Sequence, residues 1–518
     1  MARRTFLVLG SFLLLALGLA LLAVPSQAMP ASPSTGSVLY VNGATGSDTG
    51  NCTASPPATP CKTIGYAYNQ AISGNTSVSD TIKIAPGTYP ERLTIDKYII
   101  LQGTSAATTI IDGGEGGTVI QVGQAKRAAI NNLTIQNGNA GTGPGGGILV
   151  TQTSAVSIRN SFIMTNTAGS GGGIYTANGA SVFIIRSALQ NNTATGNGGG
   201  LLNDVGATTT ITQSAVVSNT AQNGAGIYNN NSLTMTNSTI AGNAASGSGG
   251  GLNNTGTGSV ALSNVTIASN TATGDGGGVT NNSPGSIKLQ NSIVGQNSGP
   301  AASPDCLGAL TDFPGSGYNI LQNGTGCTGL TTGTHGDFVG TNPLLNPLAL
   351  NGGFTLNMYP QTSPPEPANS PAIDNGDPTG CKDAQGNLLT VDQRGTTRPQ
   401  GVACDIGADE VGMGPVLASI SPDSALAGSP DIDLAVTGAN FESGLTTVWW
   451  NTNQLSTTFV SSTALTATVP ANLLATPQIA TVTVKKTGQN AGVTVGLPFS
   501  VIAPHATTIY IYLPLIMR

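Results

Sequence analysis

The ionisable residues of this chain are few and unevenly placed, and their spacing limits the chemistry that they could perform. Only 8% of the residues are charged, against about 25% in ordinary soluble domains. Between Ala128 and Ala302 the charged side chains are Arg159, Arg186, Asp204, Asp275 and Lys288. Asp112 and Glu115 stand together in a glycine-rich loop, with no base or third acid following. A denser set comes later: Asp374, Asp377, Asp392, Arg394, Arg398, Asp405, Asp409 and Glu410. Hydrolysis of polysaccharides needs two converging carboxylates, and a lyase needs a basic side chain beside acids that hold a cation. The later set has the right residue types. Asp and Arg are equally at home in turns and ion pairs, and the expectation is that this set closes the end of a fold rather than performing turnover. No catalytic residue is assigned.

The cysteines fall into local couples, Cys52 with Cys61, Cys306 with Cys327 and Cys381 with Cys404. Each couple sits in a loop rich in Gly, Pro and Thr, so sequential pairing is the simplest disulfide expectation, although spacing alone leaves other connectivities open. No CxxC occurs and the histidines are His335 and His505, so no metal site and no cofactor are expected. A formal net charge of −6 without any Lys/Arg cluster excludes a nucleic-acid partner.

The elements that must position these residues are set by a repeat. Glycine clusters end at Gly147, Gly173, Gly200, Gly226, Gly251 and Gly278, giving steps of 26, 27, 26, 25 and 27. A second phrase keeps pace: Asn166-Thr167-Ala168, Asn192-Thr193-Ala194, Asn219-Thr220-Ala221, Asn243-Ala244-Ala245 and Asn270-Thr271-Ala272. Repetition at this period marks a stack of similar units. Each unit reads as three short apolar strands separated by Gly-rich and Asn-rich turns, which describes one coil of a parallel β-helix. The triple glycines are expected at corners, where φ > 0 or close backbone approach forbids a Cβ. Two asparagine columns can be read. One is Asn203, Asn229, Asn254 and Asn281; the other is Asn132, Asn160, Asn237, Asn264 and Asn291, with Arg186 and Gln213 in the intervening places. A phosphate loop would need a flanking Lys and a strand-to-helix context, and neither accompanies any triplet.

Around the repeat the chain divides into six parts. Residues 1–28 read as a secretory signal, with Arg3 and Arg4, an apolar run from Phe6 to Val24 and the small-residue exit Ser26-Gln27-Ala28. Residues 29–128 form a cap and first coils, including a short amphipathic helix over Lys62 to Ile72. Coils occupy 129–300 and continue, with a further region, over 301–412. Alternating strands with frequent turns over 413–503 indicate a small β-sandwich, and an apolar tail, 504–518, is too short to span a membrane.

Several stretches resemble known families. The coil pattern looks like the right-handed parallel β-helix of the pectin-lyase-like fold, and Ile84-Ala85-Pro86-Gly87-Thr88-Tyr89-Pro90-Glu91 resembles the first coils of secreted bacterial members. The Gln-Asp-Thr and Gly-His-Gly patterns of pectin methylesterases and polygalacturonases are missing, so neither activity carries over. Asn342-Pro343-Leu344-Leu345, Leu350-Asn351-Gly352-Gly353, Ser370-Pro371-Ala372-Ile373-Asp374, Asp392-Gln393-Arg394-Gly395 and Cys404-Asp405-Ile406-Gly407-Ala408-Asp409-Glu410 resemble the choice-of-anchor Q domain. Ile420-Ser421-Pro422, Val436-Thr437-Gly438-Ala439-Asn440-Phe441, Val448-Trp449-Trp450-Asn451 and Phe499-Ser500-Val501 resemble an IPT/TIG immunoglobulin-like module. Together these imply an all-β chain: a right-handed parallel β-helix followed by an immunoglobulin-like sandwich. It is expected to be a secreted or surface-displayed bacterial monomer, held through its C-terminal tail and facing a polysaccharide or cell-surface glycan in a structural, adhesive or binding role. The alternative is a polysaccharide lyase or glycoside hydrolase of the same fold. Exposed aromatics would favour binding, but aromatics are 4% of the chain, and Tyr175 and Tyr228 read as isolated.

Overall fold

The computed structural model describes residues 34–503 except 54–58, 73–77, 283, 285, 362–369, 401–402, 412–414, 442 and 487–491. The signal and tail expectations therefore lie outside the described residues. The chain is almost wholly β. A right-handed parallel β-helix precedes two sheets of an immunoglobulin-like module.

One coil shows how the sequence builds the helix. Ile148–Val150, Ala155–Arg159 and Phe162–Met164 each place alternate side chains inward. The inward set, Ile148, Val150, Val156, Ile158 and Ile163, is at most 1% exposed. None of these strands could bury that face alone. Each pairs in parallel with its equivalents on both sides: Ile148 stands opposite Ile120 and Ile174, Val156 opposite Ala128 and Val182, Ile163 opposite Ile135 and Leu189. The first, second and third sheets of the helix are these three stacks. A fourth, two-residue strand, absent from the three-strand reading, also recurs as Thr167–Ala168, Thr193–Ala194, Thr220–Ala221, Ala244–Ala245 and Thr271–Ala272. It is the Asn-Thr-Ala phrase in structural form.

The corners are explained by conformation and by space. The first glycine of each triplet carries the positive φ, for instance +70° at Gly145 and +69° at Gly198, where a Cβ would be strained. The last glycine is needed for another reason. A Cβ on Gly226 would lie 2.4 Å from the Gly251 carbonyl oxygen and 3.0 Å from Asn243 Nδ2. Gly147, Gly173, Gly200 and Gly251 face the next coil's glycine in the same way. The six therefore stack in one column.

At the N-terminal end a helix spans Ile64–Gln70, capped by the Thr63 side chain, which accepts from Tyr66 N. After Phe338–Val339 the chain leaves the coils and runs back along the helix flank. Leu345, Met358, Ala372 and Ile406 from this returning segment pack on Ala188, Ala215, Val217, Ala241, Ala268, Ile293 and Ile320, on the outer face of the third sheet. Small residues there let the backbone come close: a Cβ on Gly407 would stand 2.7 Å from Ile293 Cδ1. The immunoglobulin-like module follows. It stacks Val416–Ser421, Ile432–Ala439, Ala464–Val469 and Ser456–Ser461 against a second sheet that includes Thr446–Trp450, Gln478–Lys486 and Leu497–Ile502. Trp450 and Phe499, 4.8 Å apart between ring centres, fill the space between the sheets.

Candidate functional site

Two places concentrate polar side chains, and they differ in access. The first is the charge-dense returning segment. Arg394 lies 2.8 Å from Asp392 Oδ2 and 3.4 Å from Asp409 Oδ1, and Arg398 lies 3.3 Å from Glu410 Oε2. Asp405 accepts from Asp374 N at 2.7 Å and from Val411 N. Glu410 Oε2 accepts from Asp405 N at 2.9 Å. Asp392, Asp405, Asp409 and Glu410 are at most 1% exposed. Burial is the main reason that the Asp405 carboxyl is pushed up to about 8, with Glu410 beside it adding to the rise. Burial likewise holds Asp409 up at about 7 and raises Glu410. Four carboxyls face two guanidiniums, and a buried excess of negative charge is relieved by keeping protons. No polysaccharide could reach them.

The expectation that these residues close the end of the helix is corrected by their position. They lie along its side. Gln213 Nε2 donates to Asp392 O at 3.0 Å, Asn237 Nδ2 to Val391 O at 2.7 Å and Asn264 Nδ2 to Lys382 O at 2.9 Å. Asn291 Nδ2 donates to Asp405 O at 2.7 Å, and Arg398 donates to Asn264 Oδ1 at 2.8 Å. The column Asn132, Asn160, Arg186, Gln213, Asn237, Asn264 and Asn291 is thus a corner in left-handed conformation, with φ between +46° and +56°. From Gln213 onward it grips the returning segment instead of bonding only to itself.

The other column, Asn203, Asn229, Asn254 and Asn281, is a ladder: each Nδ2 donates to the next Oδ1 at 2.8, 2.8 and 3.0 Å. A longer ladder was missed at sequence level, although its phrase was visible. Asn166, Asn192, Asn219, Asn243, Asn270 and Asn297 are linked at 3.0, 3.0, 2.9, 2.8 and 2.9 Å. Its second hydrogen bond goes inward to a strand carbonyl, such as Asn219 Nδ2 to Leu189 O at 3.0 Å, and only coordinates show that partner. Disulfides join Cys52 to Cys61, Cys306 to Cys327 and Cys381 to Cys404.

The second polar place is open toward its N-terminal end. On the outer face of the first sheet, register sets the middle residues of the strands in one row: Thr94, Gln121, Leu149, Tyr175, Leu202, Tyr228, Asn253 and Thr280. Thr94 is exposed and Gln121, Leu149, Tyr175 and Tyr228 are half-buried, whereas Leu202, Asn253 and Thr280 are buried. Tyr175 and Tyr228, isolated in sequence, are two coils apart in this row, about 10 Å at the usual strand spacing, with Leu202 between them. Tyr175 Oη donates to Asp204 Oδ2 at 2.6 Å, and burial followed by this bond raises the phenol's pKa. At the N-terminal end the row opens into a polar hollow lined by Pro90, Arg92, Leu93, Thr94, Thr118 and Gln121.

Residues 99–272 match the family model of the right handed beta helix region. Residues 415–501 match the IPT/TIG domain. No curated protein matches the chain. The two matches fall on the two bodies already described, and neither brings a catalytic set with it.

His335 Nδ1 lies 3.0 Å from Asp312 Oδ2 near the last coil, beside Asp337, which burial and then the nearby Asp312 charge raise to about 6 against hydrogen bonds from Asn319. No sequence pattern signals this pair, because Asp312 ends a strand and His335 stands in a short 3-10 turn 23 residues on. Among the described residues no three of His, Cys, Asp and Glu converge as metal donors, and no helix is long and apolar enough to cross a membrane.

Proposed function

We propose that this is a secreted or surface-displayed bacterial protein that binds a polysaccharide or cell-surface glycan along the outer face of its first sheet. The observation that carries the reading is the row from the Arg92 hollow past the half-buried Leu149, Tyr175 and Tyr228, with Leu202 buried between the two tyrosines. Tyrosine offers a flat apolar ring with a polar tip. A rigid row spaced by the coil repeat meets an extended chain without a large ordering cost, and the Arg92 end suits an acidic sugar. Binding rather than turnover is favoured because the carboxylates that do stand together, Asp405, Asp409 and Glu410, are buried within the returning segment where it packs on the coils. Three disulfides support an oxidising compartment. The choice-of-anchor Q resemblance and the apolar tail support attachment at the C-terminal end, with the immunoglobulin-like module as spacer.

The experiment is retention on an array of neutral and acidic glycans, with reducing ends and unsaturated products assayed in parallel. Retention without product, reduced at least about tenfold by Tyr175→Ala with Tyr228→Ala, is expected. Product formation abolished by a carboxylate substitution would establish the hydrolase or lyase alternative instead.

A further inference from the structure

Arg186 is the one member of the left-handed corner column with a long cationic side chain. The members that follow it in the column spend their side chains on the returning segment, as Gln213 does on Asp392 O. Arg186 does not. Its backbone N–H donates to Thr212 O at 3.0 Å, but its guanidinium has no hydrogen bond or ion pair among the described residues. Burial pushes its pKa below the ordinary arginine value, and no other group offsets this. A half-buried cation without a counter-charge is costly, and such groups ordinarily hold an ion or water.

Three parts of the protein meet around it. The crevice, with about 20 Å³ of room for a water-sized group, is lined by Arg186 of the helix, by Phe354, Arg394 and Thr396 of the returning segment, and by residues of the immunoglobulin-like module, among them Val416 and Thr494. Its charged lining is two arginines and no carboxylate. Arg394 is already committed to Asp392 and Asp409, which leaves Arg186 as the free donor. The walls are fixed. Phe354 stacks on Phe162 with ring centres 4.9 Å apart. A Cβ on Gly352 would fall 1.7 Å from Val416 Cγ1, and one on Gly395 1.8 Å from Val495 Cγ2, so the module presses directly on bare backbone of the segment. The space is narrow and suits a compact group.

We propose that Arg186 is the anchor of an anion site at this three-way junction, taking a compact oxyanion of the carboxylate or sulfate kind, and that the bound anion fastens the immunoglobulin-like module to the β-helix. A planar guanidinium suits such ligands because it donates two parallel hydrogen bonds. The source is either a free ion or an acidic group carried on a glycan. The site does not depend on the first-sheet row, which belongs to a different face.

The test uses the full chain, its Arg186→Gln and Arg186→Lys variants, sodium sulfate and sodium acetate as probes, and thermal unfolding as readout. Gln213 occupies the same corner one coil on, at φ +49° against +48° for Arg186, so Gln fits the backbone and the variant is expected to fold. Sulfate or acetate should raise the wild-type melting temperature with saturation. The saturable part should vanish in Arg186→Gln and weaken about tenfold in Arg186→Lys, which lacks the fork. General salt effects would move all three proteins alike without saturating. Without added anion, Arg186→Gln should be at least as stable as the wild type. Equal responses in wild type and Arg186→Gln, no saturable response at all, or a less stable Arg186→Gln at low salt would each overturn the proposal. Repeating the titration with an acidic oligosaccharide distinguishes the source: tighter saturation than with acetate assigns the site to a glycan group, and equal or weaker saturation assigns it to the free ion.

Discussion

Removing one rung of the inner asparagine ladder tests whether side-chain amides or the apolar stack hold the coils together. Asn219 is fully buried. Its Oδ1 accepts from Asn192 N at 2.9 Å and from Asn192 Nδ2 at 3.0 Å, and its Nδ2 donates to Leu189 O at 3.0 Å and Asn243 Oδ1 at 2.9 Å. Asn219→Ala leaves the Asn192 N–H and the Leu189 carbonyl without these partners. A buried polar group left unpaired costs about 1–3 kcal/mol, so the two together predict a loss of roughly 2–6 kcal/mol. In a stacked array this falls first on the coils around the substitution. Urea unfolding followed by circular dichroism, with amide exchange to locate the loss, is the assay. The exposed Gln222→Ala is the control and should stay within about 0.5 kcal/mol. Asn219→Asp adds a second check, because it sets an oxygen against the acceptors Leu189 O and Asn243 Oδ1. Burial will raise the new acid's pKa in the folded state, so its destabilisation should deepen as pH rises above about 4. If Asn219→Ala matches the control, or if Asn219→Asp is indifferent to pH, the ladder does not carry this load and the reasoning fails.

Three other outcomes follow from the same structure. Asp405, Asp409 and Glu410 are raised in the folded state, so there they keep protons that the unfolded chain releases above about pH 4. The stability these three groups contribute is therefore fully present below about pH 4 and falls as pH rises toward about 7–8, by up to about 1.4 kcal/mol per pH unit for each proton, and Asp409→Asn should flatten this slope in thermal unfolding. Gly226→Ala places its Cβ 2.4 Å from Gly251 O and should cost about 1–3 kcal/mol by urea titration, with the effect centred on the adjacent coils. Replacing Cys381 and Cys404 by Ala removes a link across a 23-residue separation that is worth about 3 kcal/mol, and proteolysis should then cut the returning segment before the coils.

What the sequence determined by itself was whatever repeats. Glycine and Asn-Thr-Ala phrases at a step of 25 to 27 residues specify one coil, because local backbone conformation and alternate burial are both written within a single period. Equivalent residues then stack without further information, which is why Asn203, Asn229, Asn254 and Asn281 could be aligned from spacing alone. The immunoglobulin-like module was legible for a related reason, since its strands alternate locally. The tertiary structure decided what lies outside that periodicity. Only three-dimensional packing lays the segment with Asp392, Arg394, Arg398 and Glu410 against the flank of the coils, across separations such as the 154 residues between Asn237 and Val391. Only coil register turns Tyr175 and Tyr228 into members of one row, and only the meeting of three bodies leaves Arg186 facing a crevice. Such placements depend on complementary surfaces between distant segments, and a one-dimensional pattern does not encode which surfaces will meet.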